Sequence, residues 1–315
     1  MTAPLTGARW DSPYHAPVLV EEIGELYRSC RHVLDGTLGG GGHSAALLDL
    51  GVTVTGLDRD PAAIEAARSR LADEEASGRF RALLGNFAAI DEIAEVRGTL
   101  FDGILLDLGV SSHQVDTLAR GFSFREGAPL DMRMGGNGGI DAATVLSMTE
   151  ERELARIFRE FADEPRAPRL AREIVRRRRV RPLETSDDLV GAIRGALGPR
   201  TGPADFARLF QAVRIVVNDE LASLERALPV LRDRLEPGGI LGIIAYHSGE
   251  DRLVKQAFRD WSASCVCPPR LPRCACRGRA LGGLVFRKPI SASLAESTAN
   301  PRSRSARFRA WRSVA

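Results

Sequence analysis

The sequence predicts an α/β protein with a doubly wound, mostly parallel sheet and an inserted helical domain. Short apolar runs that end in a polar residue alternate with stretches of helical spacing between His32 and Asp107. A charged stretch of wholly helical character, residues 141–197, then interrupts the alternation. The alternation of strands and helices resumes after the helix-breaking residues PGG at 237–239, which are followed by a further apolar run, ILGIIAYHS. Strands joined through helices run parallel, which is why a parallel sheet is expected.

In the first half of the chain, the sequence predicts three helices and four strands. Residues 17–29 carry their apolar side chains on one side of a helix. A second helix is predicted from His43 to Leu50. A third begins at Asp60, because Asp is a favoured N-cap and the proline after it suits the first helical position. Four short apolar strands alternate with the helical segments and end at Asp35, Asp58, Asn86 and Asp107.

The second half of the chain completes the sheet. One long helix is predicted over residues 206–235, the fifth strand follows the PGG breaker, and GEDRLVKQAFRDW forms a further helix. The segments GGLVFRKPI and ARFRAWRSV are predicted to pair as an antiparallel hairpin at the sheet edge. Residues 1–112 and 206–315 then form one discontinuous domain, and residues 113–205 form the helical insertion.

The composition is that of a soluble globular protein, with 44% hydrophobic and 27% charged residues in a chain of 315. No apolar run is long enough to cross a membrane. The first residues lack the apolar core of a signal peptide. We therefore expect a cytoplasmic protein.

A glycine-rich loop follows the first strand in the run HVLDGTLGGGGHS. Ligands bind at the carboxyl ends of parallel strands, and glycine lets the backbone approach them closely, although such a loop also occurs as a plain packing turn. Residues 40–45 match the pattern G-x-G-x-x-A, so a nicotinamide enzyme is one interpretation. However, the acid before the glycines, Asp35, suits a cationic amino group better than a pyrophosphate, and nothing nearby resembles a hydride-transfer site. The loop therefore favours S-adenosylmethionine, with the glycines, including Gly39, at its amino-acid part and Asp58 at its ribose.

Two more strand ends carry polar groups to the same edge. Asp107 ends the buried run in LLDLGVSS, where a carboxylate faces the ligand crevice unless it only caps the segment that follows. Tyr246, His247 and Ser248 end the fifth strand. His247 is a candidate for proton transfer, although a lone histidine is more often structural.

Two basic regions indicate a polyanionic partner, although the net charge is only +3. Residues 166–181 hold eight Arg and a single acid, and residues 302–312 hold five Arg and no acid. The alternative for each region is a solvated helix face. The run RRRR at residues 176–179 contributes the candidate RNA contacts Arg176, Arg177, Arg178 and Arg179.

The segment RGFSFREGAPLDMRM mixes aromatic and charged residues. Aromatic rings stack on splayed bases and arginines hold phosphates, so five residues of this segment are candidates for RNA contact. They are Phe122, Phe124, Arg125, Asp131 and Arg133. The alternative is that the phenylalanines fill the seam between the core and the insertion.

Four of the five cysteines lie in the run CVCPPRLPRCAC, at Cys265, Cys267, Cys274 and Cys276. In a cytoplasmic chain this pattern indicates a metal or reduced thiols rather than a disulfide framework. Four thiolates would make a closed structural zinc site. The C-x-C spacing is less typical of zinc than C-x-x-C, and both pairs would also pack as small apolar residues. The expectation is therefore no stoichiometric zinc.

Eight motifs occur in the order found in the bacterial 16S ribosomal RNA cytosine-N4 methyltransferases. They are HAPVLVEE, DGTLGGGGHS, LDRDP, GILLDLGVSS, RGFSFREGAPLDMRM, FQAVRIVVNDEL, PGG and YHSGEDR. From about residue 14 to residue 312, the chain resembles this family. The resemblance implies a Rossmann-like class I methyltransferase fold with a helical insertion, S-adenosylmethionine as cofactor, and 16S ribosomal RNA in the small subunit as partner. The methylated atom would be N4 of a cytosine in the decoding centre. The oligomeric state stays open, a homodimer included.

The resemblance also assigns residues to roles. Cofactor contacts fall on Gly41, Gly42, His43, Asp58, Phe87, Asp107 and Gln114, with Asp35 and Gly39 in support. Phe87 would flank the adenine, and Gln114 would reach the methionine end. The chain departs from the family at Tyr246, where Phe is common, and at Gly249, where Leu is usual. Two prolines, at 165 and 168, depart from the family's insertion.

Methyl transfer to an exocyclic amine needs help, because the nitrogen lone pair is delocalised into the ring. A site can align methyl and nitrogen and accept an N–H hydrogen bond. Asp107 with its adjacent backbone is the first candidate acceptor and His247 the second. The amine must leave its base pair, so the substrate cytosine is unstacked, and Ser248 is a further candidate contact. No catalytic metal is required. Besides the nicotinamide enzyme, the alternative is a ribosome-assembly factor that binds RNA and uses the cofactor only for stability.

Overall fold

The computed structural model describes residues 17–136, 138–267 and 275–314. The chain divides into two compact units, Met1–Gly109 with Leu221–Ala315, and Val110–Glu220. The first unit contains the sheet and the second contains helices. Among the described residues, no helix combines the length and the apolar character that a membrane crossing needs.

Seven strands form one sheet in the first unit. They are β1 His32–Asp35, β2 Thr53–Asp58, β3 Phe80–Leu84, β4 Phe101–Asp107, β5 Leu235–Ala245, β6 Gly282–Leu284 and β7 Arg307–Ser313. Their order is β3-β2-β1-β4-β5-β7-β6. The pairs among β1 to β5 are parallel, and β7 is antiparallel to both β5 and β6. This confirms the doubly wound, mostly parallel sheet, and the C-terminal strands pair as the predicted hairpin.

The described chain contains these α-helices in order: α1 Val20–Tyr27, α2 Gly42–Asp49, α3 Pro61–Arg70, α4 Ala72–Ala76, α5 Ser112–Asp116, α6 Ala142–Met148, α7 Glu151–Ala162, α8 Ala167–Arg178, α9 Ser186–Leu197, α10 Pro203–Val217, α11 Glu220–Asp233, α12 Ser248–Ser262 and α13 Leu294–Ala299. Short 3-10 turns cover Phe87–Glu92, Leu118–Arg120 and Pro301–Ser305. The predicted start of α3 is confirmed. The Asp60 side chain accepts a hydrogen bond from the Ala62 amide at 3.1 Å, and the proline occupies the first helical position.

Successive residues of the central strands face opposite sides of the sheet, so the sheet divides the core of the first unit in two. Val33 and Leu105 belong to one cluster, with side chains of α2 and α3. Leu34 and Leu106 belong to the other, with side chains of α11 and α12. Apolar residues on both faces explain why the strands appear in the sequence as nearly continuous apolar runs.

The predicted single helix over residues 206–235 is wrong. The chain forms α10 and α11 and breaks between them at Asn218 and Asp219, where Asp219 has φ 50° in the left-handed region. The buried Asn218 side chain accepts a hydrogen bond from the Met134 amide at 2.8 Å and donates to the Met132 carbonyl at 2.7 Å. These bonds fix the helix end against a distant loop of the same unit.

The helical unit has its own core, built from side chains of α6 to α10. Leu209, Phe210 and Val213 of α10 belong to it. The sequence places the end of the insertion at residue 205, whereas the compact unit runs to Glu220 because α10 packs within it.

Candidate active site

Three acids end neighbouring strands at one edge of the sheet. Asp35 ends β1, Asp58 ends β2 and Asp107 ends β4. Because these strands are parallel neighbours, their carboxyl ends lie side by side. The edge is the one at which open α/β sheets bind ligands.

The loop after β1 winds between these strands. The Gly36 amide donates to the Leu105 carbonyl at 2.9 Å, and the Leu38 amide donates to the Leu57 carbonyl at 2.8 Å. A Cβ at Gly36 would lie 2.5 Å from a methyl of Leu106, so the backbone could not pass so closely with any other residue there.

Gly41 has φ 76° and is the N-cap of α2. Gly39 has φ 50°, and Gly42 begins α2. The sequence therefore specifies a tight loop leading into a helix N-terminus.

Asp58 holds this loop in place. One carboxylate oxygen accepts the Gly39 amide at 2.8 Å, and the other accepts the Asp60 amide at 2.8 Å. Burial raises the pKa of the Asp58 carboxyl to about 6, even though both amides act to lower it. The carboxylate thus lies at the ligand edge and keeps its proton to a higher pH than an ordinary aspartate does.

Asp35 is more deeply enclosed, with 1% of its surface exposed. It accepts hydrogen bonds from the Ser44 hydroxyl at 2.7 Å and from the Thr37 amide at 3.3 Å. Burial raises the pKa of its carboxyl above the ordinary value. Asp35 therefore braces the glycine loop against α2. A sequence reading does not single out Ser44, because its partner lies in another element.

Asp107 lies at the centre of a polar group. The Tyr246 hydroxyl donates to one of its carboxylate oxygens at 2.8 Å, and the Nδ1 atom of His43 lies 3.7 Å from the other. The Nε2 atom of His43 is 2.8 Å from the Val18 carbonyl and donates to it. The Asp107 amide donates to the Thr37 hydroxyl at 2.6 Å. Burial first, and then the charge of Asp107, raises the pKa of the Tyr246 phenol well above its ordinary value. Tyr246 stays protonated and remains a hydrogen-bond donor.

Tyr246, like Thr37 and Ser44, is a residue of this site to which sequence reasoning gave no role. Its position at the end of the fifth strand was the available signal, because that strand lies next to β4. The sequence does not show that its hydroxyl reaches Asp107.

His247 caps α12. Its Nδ1 atom accepts hydrogen bonds from the amides of Gly249 at 3.2 Å and Glu250 at 3.4 Å, and its Nε2 atom lies 3.2 Å from a Glu250 carboxylate oxygen. Both ring nitrogens thus face groups of its own helix terminus. This arrangement accounts for a structural role, and His247 stays the second candidate as proton acceptor. Ser248 is the first residue of α12.

Phe87 begins the 3-10 turn that follows β3. A Cβ atom built on Gly36 would lie 3.3 Å from the Phe87 Cβ atom. Phe87 therefore lies next to the glycine loop. The turn is fixed by Asn86, whose side chain accepts the Ala88 amide at 3.0 Å. The predicted contact of Phe87 with adenine is consistent with this place and stays a prediction.

Gln114, in the helical unit, is part of a capping box at the start of α5. The Gln114 side chain accepts the Ser111 amide at 3.0 Å, and the Ser111 hydroxyl accepts the Gln114 amide at 3.1 Å. This pair defines the start of α5 immediately after the loop that leaves β4. Its predicted contact with the methionine end of the cofactor is a proposal below.

Both phenylalanines of RGFSFREGAPLDMRM pack within the helical unit. The Phe124 ring lies edge-on to Phe206 at 5.7 Å and to Phe210 at 6.1 Å between centroids, and it is 36% exposed. Phe122 packs against the same core, with the Arg120 guanidinium 5.9 Å from its centroid. These contacts favour packing over RNA contact for both rings, but the packing they show is within the helical unit and not at the predicted seam.

Two charged residues of that segment, Asp131 and Arg133, form an ion pair with each other. Arg133 donates to both carboxylate oxygens of Asp131, at 2.9 and 2.6 Å. Burial acts to raise the pKa of Asp131, but the hydrogen bonds and charge of Arg133 bring it below the ordinary value. Arg125 is more exposed and donates to Asp116 at 3.3 Å.

The four arginines at the end of α8 and just after it do not share one role. Arg176 and Arg177 each approach a Glu173 carboxylate oxygen at 2.7 Å, and their hydrogen bonds lower the pKa of Glu173 to about 2. Arg178 donates to the carbonyls of Leu146 and Thr149, both at 2.7 Å, and so closes the end of α6. Arg179 is exposed. Arg176 and Arg179 are therefore the members of the run best placed to meet an external anion.

Three of the four clustered cysteines come together. The sulfur atoms of Cys265, Cys267 and Cys276 lie within 4.8 Å of one another. Cys274 lies outside the described residues. Sequence spacing alone does not reveal this proximity.

The order of the strands, the antiparallel β7, the glycine loop and the three strand-terminal acids define a Rossmann-like class I methyltransferase. The model of the MraW methylase family matches residues 12–314. The Ribosomal RNA small subunit methyltransferase H of Gemmatimonas aurantiaca is 64% identical over 301 residues, which cover 96% of each chain.

Proteins of the same name from Myxococcus xanthus and Heliobacterium mobile are 47% and 44% identical. These matches cover 94% of this chain in both cases, and 96% and 97% of the two relatives. The chain belongs to the MraW methylase family and is an S-adenosylmethionine-dependent methyltransferase.

Proposed function

We propose that this enzyme methylates the exocyclic N4 of a cytosine in the decoding centre of 16S ribosomal RNA. The relatives are named as methyltransferases of small-subunit ribosomal RNA, and they match over nearly their whole length. The motifs that resemble cytosine-N4 methyltransferases include the three strand-terminal acids. The observation that carries the proposal is the carboxylate of Asp107, held by Tyr246 at the ligand edge of the sheet. Its place of action is the cytoplasm, where small subunits are assembled.

The first unit fits S-adenosylmethionine. The glycine loop leads directly into the N-terminus of α2, and it packs so closely that a Cβ at Gly36 or Gly41 would lie 2.5 or 3.2 Å from a neighbouring leucine side chain. Asp58 offers carboxylate oxygens for ribose hydroxyls, and Phe87 offers an apolar ring beside the loop. Gly41, Gly42, His43 and Gln114 are proposed to hold the amino-acid part. When bound, the cofactor supplies a methyl group on a positively charged sulfur.

The reaction requires a nucleophilic amine and a destination for one proton. A bound S-adenosylmethionine would supply the methyl group to the N4 lone pair, with the sulfur as leaving group, and the amine would then have one proton to lose. Asp107 accepts a hydrogen bond from the amine and takes its proton. Accepting that bond localises the lone pair on nitrogen, which makes the amine a better nucleophile.

Tyr246 positions the carboxylate for this step. Its hydroxyl binds one oxygen of Asp107 at 2.8 Å, and the Asp107 amide is tied to Thr37 at 2.6 Å. The carboxylate is thereby fixed in orientation before substrate arrives, which lowers the entropy lost on reaching the reactive geometry. Because Tyr246 stands where this family commonly has Phe, the contact is a feature of this chain.

The helical unit is proposed to contact the RNA. Arg125, Arg176 and Arg179 are exposed cations of this unit, and phosphate contacts from arginine supply most sequence-independent affinity for RNA. Arg133 forms an ion pair with Asp131, and Arg178 donates hydrogen bonds to backbone carbonyls. We therefore propose that these two residues support the RNA-binding surface and do not contact RNA themselves.

The test is transfer of a tritiated methyl group to naked 16S RNA, immature particles and mature small subunits, followed by mapping of the modified nucleotide by mass spectrometry. The expected product is N4-methylcytidine at one decoding-centre position. An Asp107→Asn variant is the control, because it keeps the shape of the side chain and loses the proton acceptor. Methylation of another atom, or RNA binding without any single-turnover transfer, contradicts the proposal.

A further inference from the structure

The cysteine loop lies between α12 and β6, on the first unit. It begins with CVC at residues 265–267 and ends with CAC at residues 274–276. Cys276 lies nine residues after Cys267 in the chain, yet the sulfur atoms of Cys265, Cys267 and Cys276 lie within 4.8 Å of one another. Nothing in the methyl-transfer site uses these residues.

The distance between two of the sulfur atoms is the one expected for two ligands of the same metal ion, and it is too long for a disulfide bond. The Sγ atoms of Cys265 and Cys276 are 3.8 Å apart. A disulfide would bring them to about 2.05 Å. In a tetrahedral zinc site with Zn–S bonds of about 2.3 Å, two sulfur ligands are about 3.8 Å apart. The pair is therefore spaced as two ligands of one zinc ion.

Backbone amides point at the sulfurs from both ends of the loop. The Val266 amide lies 3.4 Å from the Cys276 sulfur, and the Ala275 amide lies 3.3 Å from the Cys267 sulfur. Each C-x-C segment thus donates to a sulfur of the other. Amides directed at sulfur stabilise the thiolate form, which is the form that binds a metal.

We propose that Cys265, Cys267 and Cys276 supply three thiolate ligands of a Zn²⁺ site that holds the two C-x-C segments together. The C-x-C spacing argued against zinc on sequence alone. However, the structure places the sulfur atoms of Cys265 and Cys267 within 4.8 Å of each other and of the Cys276 sulfur. Cys274 lies outside the described residues, and the proposal rests on the three sulfurs that are placed.

The site would join the two ends of the loop beside a short edge strand. Arg277, next to Cys276, donates to the carbonyls of Asp260 and Ala263 at the end of α12, the latter at 2.9 Å. The Leu281 amide donates to the Trp261 carbonyl at 2.8 Å, directly before β6. A metal between CVC and CAC would hold the start of the loop to this anchored end, where few apolar side chains are buried.

The first experiment measures metal content. Protein without a histidine tag is purified, reconstituted with zinc under reducing conditions, passed through a desalting column and analysed by elemental mass spectrometry. We expect about one zinc per chain. Cys265→Ser, Cys267→Ser and Cys276→Ser should each lose most of it. Cys30→Ser is the matched control and should keep it, because Cys30 lies elsewhere and burial raises the pKa of its thiol to about 12.

The second experiment needs no variant, so it does not depend on whether a mutant folds. Zinc is removed from the wild-type protein with a chelator and replaced by cobalt. Thiolate-to-cobalt charge-transfer bands, together with intense tetrahedral d–d bands, are expected, along with recovery of the thermal midpoint lost on chelation. Wild-type protein that takes up no metal, or loss of zinc in none of the three serine variants, overturns the proposal. A cobalt spectrum without thiolate bands overturns it equally.

Discussion

Replacing Asp58 by alanine is predicted to weaken cofactor binding while the fold remains stable. Its two carboxylate oxygens accept amide hydrogen bonds at 2.8 Å, one from the glycine loop. Against this, burial raises its pKa to about 6, whereas an ordinary aspartate has a pKa of about 3.9. That shift corresponds to about 3 kcal/mol of destabilisation when the carboxyl is ionised. That shift already includes the two amide hydrogen bonds, which favour the charged form, so removing the ionised carboxylate relieves a net penalty and should not destabilise the ligand-free fold.

The fold should therefore survive Asp58→Ala, while S-adenosylmethionine binding should weaken by about 10- to 100-fold, the loss expected for charge-assisted bonds to the ribose. Calorimetric titration at pH 8 measures the affinity, and thermal unfolding checks the fold. Glu65→Ala, which removes an exposed carboxylate from α3, is the matched control and should change neither. An unchanged affinity in Asp58→Ala would refute the role of this residue.

The same carboxyl sets a pH dependence with a definite sign. Because the folded protein holds the Asp58 proton more tightly than the unfolded chain, its ionisation destabilises the ligand-free fold as the pH rises from about 4 to about 6. Cofactor affinity should show the opposite trend, since the ribose is held by the ionised form. At pH 5 about one carboxyl in ten is ionised, so the affinity contributed by this group should fall about tenfold relative to pH 8.

Three further predictions concern other residues. Asp107→Asn should lower the single-turnover methyl-transfer rate by about 10²–10⁴-fold, as expected for loss of a general base, with a much smaller change in cofactor affinity. Tyr246→Phe should keep the rate within about tenfold and move the acidic limb of the rate–pH profile upward, because the Asp107 carboxylate loses a hydrogen bond that favours its charged form. An unmoved limb would show that this contact does not tune the base. Arg176→Gln with Arg179→Gln should weaken RNA binding and flatten its salt dependence, whereas Arg178→Gln should lower the thermal midpoint instead.

Local sequence patterns predicted the strands and their acids because apolar runs and their ends are local signals. The start of α3 is a further example, since its N-cap and proline are adjacent in the chain. The break between α10 and α11 was not predictable in this way. Helical periodicity continues through Asn218, and the partners that stop the helix, Met132 and Met134, lie more than eighty residues earlier.

Charge patterns were equally incomplete as a guide to function. A run of four arginines suggests one electrostatic surface, but the carbonyls of Leu146 and Thr149 turn Arg178 into a structural cap. Likewise, the rings of Phe122 and Phe124 occur in a segment typical of RNA contact, and they pack on the helical unit's own core. In each case the partner belongs to another element, so only the tertiary structure distinguishes packing from binding.

The electrostatics of the sheet edge favour a cationic ligand over a pyrophosphate. Burial and, to a smaller degree, the charge of Asp107 act to raise the pKa of Asp35, although His43 acts to lower it, and burial and the charges of Asp60 and Asp35 act to raise that of Asp58. Carboxylates that disfavour one another's ionisation gain stability when a positive charge approaches, whereas a pyrophosphate would add further repulsion. S-adenosylmethionine carries positive charge on both its sulfonium and its ammonium group. The glycine pattern shared with dinucleotide-binding proteins is therefore used here, between Asp35 and Asp58, for a cofactor of opposite charge.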